Sequence, residues 1–135
     1  AQRAGFDVAV ICNVDQHRER IEAAGVRVIP LSLTRRSLNP LLALGQILKL
    51  IQIYRRERPD LVHHIAMKPV LYGSIAALAA RVPVQLNAFA GLGLVFTSDI
   101  LLARVLRPFL LVMFRVLLRQ RGAWTLFQNG DDRAY

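Results

Sequence analysis

Short apolar runs alternate with amphipathic stretches along this chain, at spacings that suit strands and helices in turn. Phe6–Cys12 (FDVAVIC) is a β-branched run after a glycine and reads as a buried strand. Asp15 stands where it would cap a helix over about 16–24, and Gly25 ends that helix. Val26–Leu31 (VRVIPL) is the next strand, followed by the polar, loop-like Ser32–Asn39. Pro40 suits a first helical turn with Asn39 as its cap. Leu44, Ile47, Leu48, Ile51 and Tyr54 then recur at helical spacing, opposite Gln46, Lys49, Gln52 and Arg56. This sets the first group on the core side, and Pro59 stops the helix.

Leu61–Ala66 and Val84–Phe89 predict two further strands around a helix over about 70–80. A long helical region over 99–121 and a strand at Trp124–Gln128 complete the order. Regular alternation with near-continuous apolar strands predicts an α/β fold, a parallel sheet with helices on both faces. No internal repeat, low-complexity tract or linker interrupts it.

Composition narrows the picture. The chain has 135 residues, the length of one domain with a real core. Its ends read as cut from a longer protein: Ala1–Gly5 resembles the last turn of a helix, and Asp131–Tyr135 the opening of another. Although 54% of residues are hydrophobic, no run approaches the roughly 18–20 apolar residues of a membrane span. Between Arg107 and Arg115, for instance, only Pro108–Phe114 is uncharged.

A net charge of +9, carried almost wholly by arginine, attracts polyanions such as anionic lipid headgroups or phosphorylated substrates. Nucleic acid is disfavoured, because the arginines lack interleaved aromatics and match no reader motif. Cys12, the single cysteine, is expected to be buried, and with no disulfide framework a reducing compartment fits best.

Parallel α/β sheets bind ligands at the carboxyl ends of their strands, so the candidate chemistry lies within residues 59–97. His63 and His64 are adjacent on a strand and must point to opposite faces. Without a Cys or Glu cluster nearby, no metal site is read there. His64 is a candidate for orienting an acceptor or acting near a phosphate, since imidazole changes charge near neutral pH; a plain hydrogen-bonded strand-end histidine is the alternative. Lys68 follows the strand end with Pro69 opening a helix, and an ammonium beside a helix N-terminus makes an anion site. A solvated surface lysine is its alternative.

Gly73 permits close approach of a backbone or ligand, or simply helix packing. Asn87, inside an apolar strand, is a buried amide that needs partners and is expected to anchor loop backbone. Gly91-Leu92-Gly93 empties from the same strand. It is not G-x-G-x-x-G, but glycines there let backbone amides approach a ligand. In the region 99–121, Arg104, Arg107, Arg115 and Arg119 fall within about 120° on the helix wheel, and Pro108 is expected to kink or divide the helix. One reading is a core helix with a solvated arginine stripe. The other is an interfacial helix on an anionic membrane.

ERPDLVHHIAMKPVLYG at 57–73, RVPVQLNAFAGLGLVF at 81–96 and LFQNGDDRAY at 126–135 carry a resemblance. Together they resemble the N-terminal, acceptor-side domain of family-4 retaining glycosyltransferases of the GT-B fold. The likeness covers nearly the whole chain. It implies a Rossmann-like half-enzyme over residues 1–135, truncated at both ends, which alone would be inactive. A nucleotide-sugar donor would be bound mainly by the absent second domain, and a lipid-linked saccharide acceptor by this one.

The resemblance further implies no cofactor or metal, and a cytoplasmic protein peripheral to the inner face of the plasma membrane. His64, Lys68, Asn87, Gly91 and Gly93 would line the acceptor wall, with no catalytic base assigned. Many family members carry a histidine where this sequence has Ala90, which removes that group from this loop. The competing readings are half of a nucleotide-sugar epimerase and a non-enzymatic, membrane-peripheral Rossmann-like module.

Overall fold

The computed structural model describes residues 2–13, 18–33, 39–89 and 101–127, with the side chains of 101–107, 109, 110 and 127 left aside. The chain divides into two compact units, Ala1–Ser37 and Leu38–Tyr135. Both are α/β with parallel strands, as the alternation predicts.

The first unit opens with a 3-10 turn at Gln2–Ala4, then strand β1 (Ala9–Cys12), helix α1 (Arg18–Ala23) and strand β2 (Arg27–Pro30). β1 and β2 pair in parallel, from Ala9 with Arg27 to Cys12 with Pro30. The Gln2 side-chain amide closes this small unit by donating to the Gly25 carbonyl at 2.6 Å. Cys12 is half-buried, not buried as expected, and Phe6 is 66% exposed. Two four-residue strands offer too little surface to enclose β1. The cap expected at Asp15 lies outside the described residues.

The second unit runs α2 (Pro40–Glu57), β3 (Leu61–Ile65), α3 (Met67–Ala80), β4 (Val84–Phe89), α4 (Leu101–Leu118) and β5 (Ala123–Phe127). Asn39 caps α2 as expected, its side chain accepting from the Leu41 amide at 2.9 Å. Arg58, in the left-handed region, closes the helix just before Pro59. α4 carries Pro108 inside one helical span, so the proline does not divide it. Helix α4 packs against both α3 and β5, and that support holds it across one missing backbone bond.

Strands β3, β4 and β5 form one parallel sheet in that order. Hydrogen bonding thus gives two sheets, the polar Ser32–Asn39 stretch lying where the units part. Among the described residues, the β3–β4–β5 sheet carries its helices on one face. Right-handed crossovers that keep moving in one direction, β3 to β4 to β5, set α3 and α4 on the same side. Val62, His64, Gln85, Asn87 and Phe89 point into that side and are buried. Val70 of α3, Phe89 and Phe114 of α4 form its apolar core, joined by Met67, Leu71 and Leu118. The two phenylalanines meet edge to face with ring centres 5.5 Å apart.

Helix α2 differs from its expected orientation. Leu50 and Tyr54 are its buried residues, whereas Leu44 and Leu48 are more than half exposed. The leucine stripe and the true contact face lie on adjacent arcs. Periodicity alone chose the more apolar one. At the far end of the sheet, a Cβ on Gly122 would overlap the Pro83 carbonyl oxygen, and the Gly122 carbonyl accepts from the Gln85 amide at 2.8 Å. Glycine there lets β5 start directly beside β4.

Candidate functional site

The parallel register sets His64 of β3 opposite Asn87 of β4. Both side chains lie beneath α3, and their burial follows from strand alternation: His63 is exposed while His64 is 5% exposed. His64 Nδ1 and Asn87 Oδ1 are 2.7 Å apart. An amide oxygen only accepts, so Nδ1 carries the proton and Nε2 is the acceptor of this neutral ring. The Tyr54 hydroxyl, reaching down from α2, donates to Nε2 at 2.9 Å. Ser74 of α3, fully buried, donates to the same Asn87 oxygen at 3.3 Å. Two helices and two strands thus converge on one imidazole.

Gly73 makes room for it. A Cβ at that position would overlap the His64 ring. Close backbone approach is therefore the role of this glycine, and what approaches is a side chain of its own fold. Burial pushes the His64 pKa down; the Asn87 hydrogen bond opposes this, and the neighbouring His63 adds to it. Burial likewise pushes the Tyr54 hydroxyl up. With both ring nitrogens engaged, the neutral imidazole presents no spare lone pair for a substrate proton. The chemistry of this cluster is that of a clasp. Among the described residues, the Asn87 amide nitrogen and Gln85 Oε1, two positions apart on the same face of β4, have no bonded partner.

The other candidates lie at the strand ends. α3 begins at Met67, earlier than its pattern suggests, so Lys68 sits inside the first turn and not ahead of it. It is half-buried, and burial lowers its ammonium pKa. Tyr72, one turn further along the same helix face, is buried with its hydroxyl pKa raised. Ala66 precedes the helix with φ 76° and ψ 159°, a region almost reserved for glycine, and no side chain caps the helix start. Asn87 is the buried amide expected, but its partners are His64 and Ser74 side chains, where loop backbone was foreseen. Gly91, Gly93 and Ala90 lie outside the described residues. Among the described residues no group of three His, Cys, Asp or Glu side chains comes together to hold a metal.

The structure brings His64 and Asn87 together and adds Tyr54, Ser74 and Gly73. By periodicity alone, Tyr54 is one member of an apolar stripe. The signal for the cluster was available in the polar residue held within each of two adjacent apolar strands, with Gly-Ser in the helix joining them.

Compared with known proteins, residues 1–123 match the family model described as Glycosyl transferase 4-like. The chain belongs to that family. Strands β3 and β4, helix α3 and the whole clasp fall inside the matched range. Among curated proteins it is similar to the N,N'-diacetylbacillosaminyl-diphospho-undecaprenol alpha-1,3-N-acetylgalactosaminyltransferase of Campylobacter jejuni subsp. jejuni serotype O:2. The two are 29% identical over 87 residues, which is 64% of this chain and 23% of that relative. The matched stretch therefore spans under a quarter of the relative's length. Among the described residues, no helix is long and apolar enough to cross a membrane.

Proposed function

We propose that this chain is the acceptor-side domain of a GT-B glycosyltransferase that moves a sugar from a nucleotide-sugar to a lipid-linked saccharide. The observation that carries this reading is the family match over residues 1–123. The similarity to a relative whose name specifies a diphospho-undecaprenol-linked substrate supports the lipid-linked acceptor. In the proposed reaction the acceptor hydroxyl attacks the anomeric carbon with net retention. The bond from that carbon to the donor diphosphate breaks, the nucleoside diphosphate leaves, and the hydroxyl proton passes to base or solvent.

In this reading the donor is held mainly by a second domain, and residues 1–135 alone do not turn over. Lys68, in the first turn of α3 at the carboxyl end of β3, is proposed to meet acceptor phosphate, where ammonium and helix dipole act together. His64 and Asn87 shape the wall from beneath, and Gly91 and Gly93 are proposed to let loop amides reach the ligand. Helix α4 is proposed to lie on the inner face of the plasma membrane. Leu111, Val112 and Val116 are exposed on it beside Arg115, with Arg119 just beyond its end.

The test incubates the full-length protein with a panel of nucleotide-sugars and a polyprenyl-diphosphate-linked saccharide, reading the product by mass spectrometry. Addition of one sugar to the acceptor is expected. Conversion of the nucleotide-sugar without acceptor would instead identify an epimerase. Lys68→Ala is expected to raise the acceptor KM about tenfold or more while leaving the donor KM in place. An unchanged acceptor KM returns Lys68 to an ordinary surface role.

A further inference from the structure

Two tyrosines of this fold use their hydroxyls in opposite ways. Tyr54 spends its own inside the protein, donating to His64. Tyr72 is nearly as buried, 9% exposed against 5%, yet its hydroxyl has no hydrogen-bond partner among the described residues. Nor is that oxygen sealed off, since the unbonded side-chain atoms shut away from solvent are Gln85 Oε1 and Asn87 Nδ2. The ring is covered and the hydroxyl opens outward. A buried tyrosine ordinarily gives its hydroxyl a partner, and here water or a ligand must supply it.

The place of Tyr72 in the helix indicates which ligand. α3 runs from Met67 to Ala80, and no side chain caps its start. Helical side chains tilt toward the N-terminus and lie over the preceding turn. The Tyr72 ring therefore leans back over the turn that holds Lys68, about 40° away on the helix wheel. Gly73 and Ser74 take the side of the helix that meets His64 and Asn87, which leaves Lys68 and Tyr72 on its flank. Hydroxyl, ammonium and uncapped helix start thus gather at the carboxyl end of β3, where parallel α/β sheets bind ligands. The ammonium only donates, the hydroxyl is able to donate, and the helix dipole is positive at this end. An oxygen-rich anion fits all three.

We infer that Tyr72 is an acceptor-binding residue whose hydroxyl, together with the Lys68 ammonium, holds one phosphate of the lipid-linked substrate. The inference rests on the proposed transferase reading and deepens it. Lysine grips phosphate as a point charge on a flexible stem. A hydroxyl on a packed ring adds a fixed direction, so Lys68 supplies attraction and Tyr72 supplies orientation. Burial lowers the Lys68 pKa and raises that of Tyr72, so both groups stand partly withdrawn from water. A charge-assisted hydrogen bond gains strength in such surroundings.

The test uses the full-length protein with a nucleotide-sugar and a polyprenyl-diphosphate-linked saccharide. Tyr72→Phe is expected to raise the acceptor KM about tenfold and to leave the donor KM in place. Because the hydroxyl holds nothing inside the protein, the melting temperature of the ligand-free variant should stay within about 2 °C of the parent. A hydroxyl with only a structural role would reverse that pattern, and a lower melting temperature with an unchanged acceptor KM overturns the inference. Tyr72→Phe/Lys68→Ala should lose less than the product of the two single losses, since both groups hold one phosphate.

An acceptor KM within twofold of the parent's makes the hydroxyl an ordinary wet tip and overturns the proposal. So does a rise confined to the donor KM, because the pair would then face the donor diphosphate. If the parent protein modifies no lipid-linked saccharide, the transferase reading fails, and calorimetric titration with inorganic pyrophosphate still decides the site. Weaker pyrophosphate binding in both Tyr72→Phe and Lys68→Ala than in the parent keeps the phosphate site. Equal titrations, or binding in none of the three, overturn it.

Discussion

The two faces of the β3–β4–β5 sheet are drawn from the same short strands and obey different rules. On the covered face, His64, Gln85 and Asn87 are all buried, and the imidazole is bonded at both nitrogens. On the opposite face, Leu61, Ile65, Trp124 and Leu126 are each more than half exposed, and His63 stands among them. A one-residue step along β3 therefore moves a histidine from a site where every bond matters to one where almost none does. Burial, and not residue type, sets what a polar side chain is worth.

The sharpest way to break this contrast is to overfill the covered face. Gly73→Ala pushes a methyl group into the His64 ring and is expected to cost about 3 kcal/mol of stability in a urea titration. A loss below about 0.5 kcal/mol would mean that the ring moves aside freely and that the clasp is loose. Next in size is the paired comparison of the histidines. His64→Leu strands the Tyr54 hydroxyl and Asn87 and is expected to cost about 2 kcal/mol. His63→Leu, on the open face, should stay within about 0.5 kcal/mol. Equal losses from the two variants would erase the distinction between the faces.

Ala66 offers a change of opposite sign at the edge of the clasp. Its φ of 76° suits glycine, so Ala66→Gly is expected to stabilise the fold by about 1 kcal/mol, raising the melting temperature. The gentlest handle is pH. Burial holds the folded-state pKa of His64 below its ordinary 6.5. Below that value the unfolded chain takes up a proton that the folded chain refuses. Stability from this residue is thus complete above about pH 6.5 and drains away as pH falls toward the lowered folded value. The slope should vanish in His64→Leu and persist in His63→Leu.

The strands and helices of the second unit were legible because their signals are local: Asn39 and Pro40 at a helix start, Pro59 after its end, β-branched runs between. The opposite facing of His63 and His64 followed from alternation alone. Three things were not legible. The rotation of α2 depended on which of two neighbouring arcs its partners accept: the stripe of Leu44, Ile47, Leu48, Ile51 and Tyr54 is the more apolar, whereas the buried arc is centred on Leu50 and Tyr54. The partners of Asn87 depended on register across a parallel ladder, which a helix-length connection conceals. Cys12 read as buried because a strand's sequence does not reveal how many neighbours will flank it. Each miss concerns tertiary placement.

The clasp also bears on the order in which the sheet is assembled. Its central bond joins residues 23 apart, His64 and Asn87, through a single β–α–β passage. β5 must wait for the longer excursion through α4 before it can pair with β4. Loop closure favours the nearer pairing, so β3, α3 and β4 form the natural nucleus, with the imidazole recording that the first two strands have met in register. Destabilising changes at Gly73 should then slow folding, and those in β5 should mainly quicken unfolding, a division that rate measurements on the two classes of variant can read.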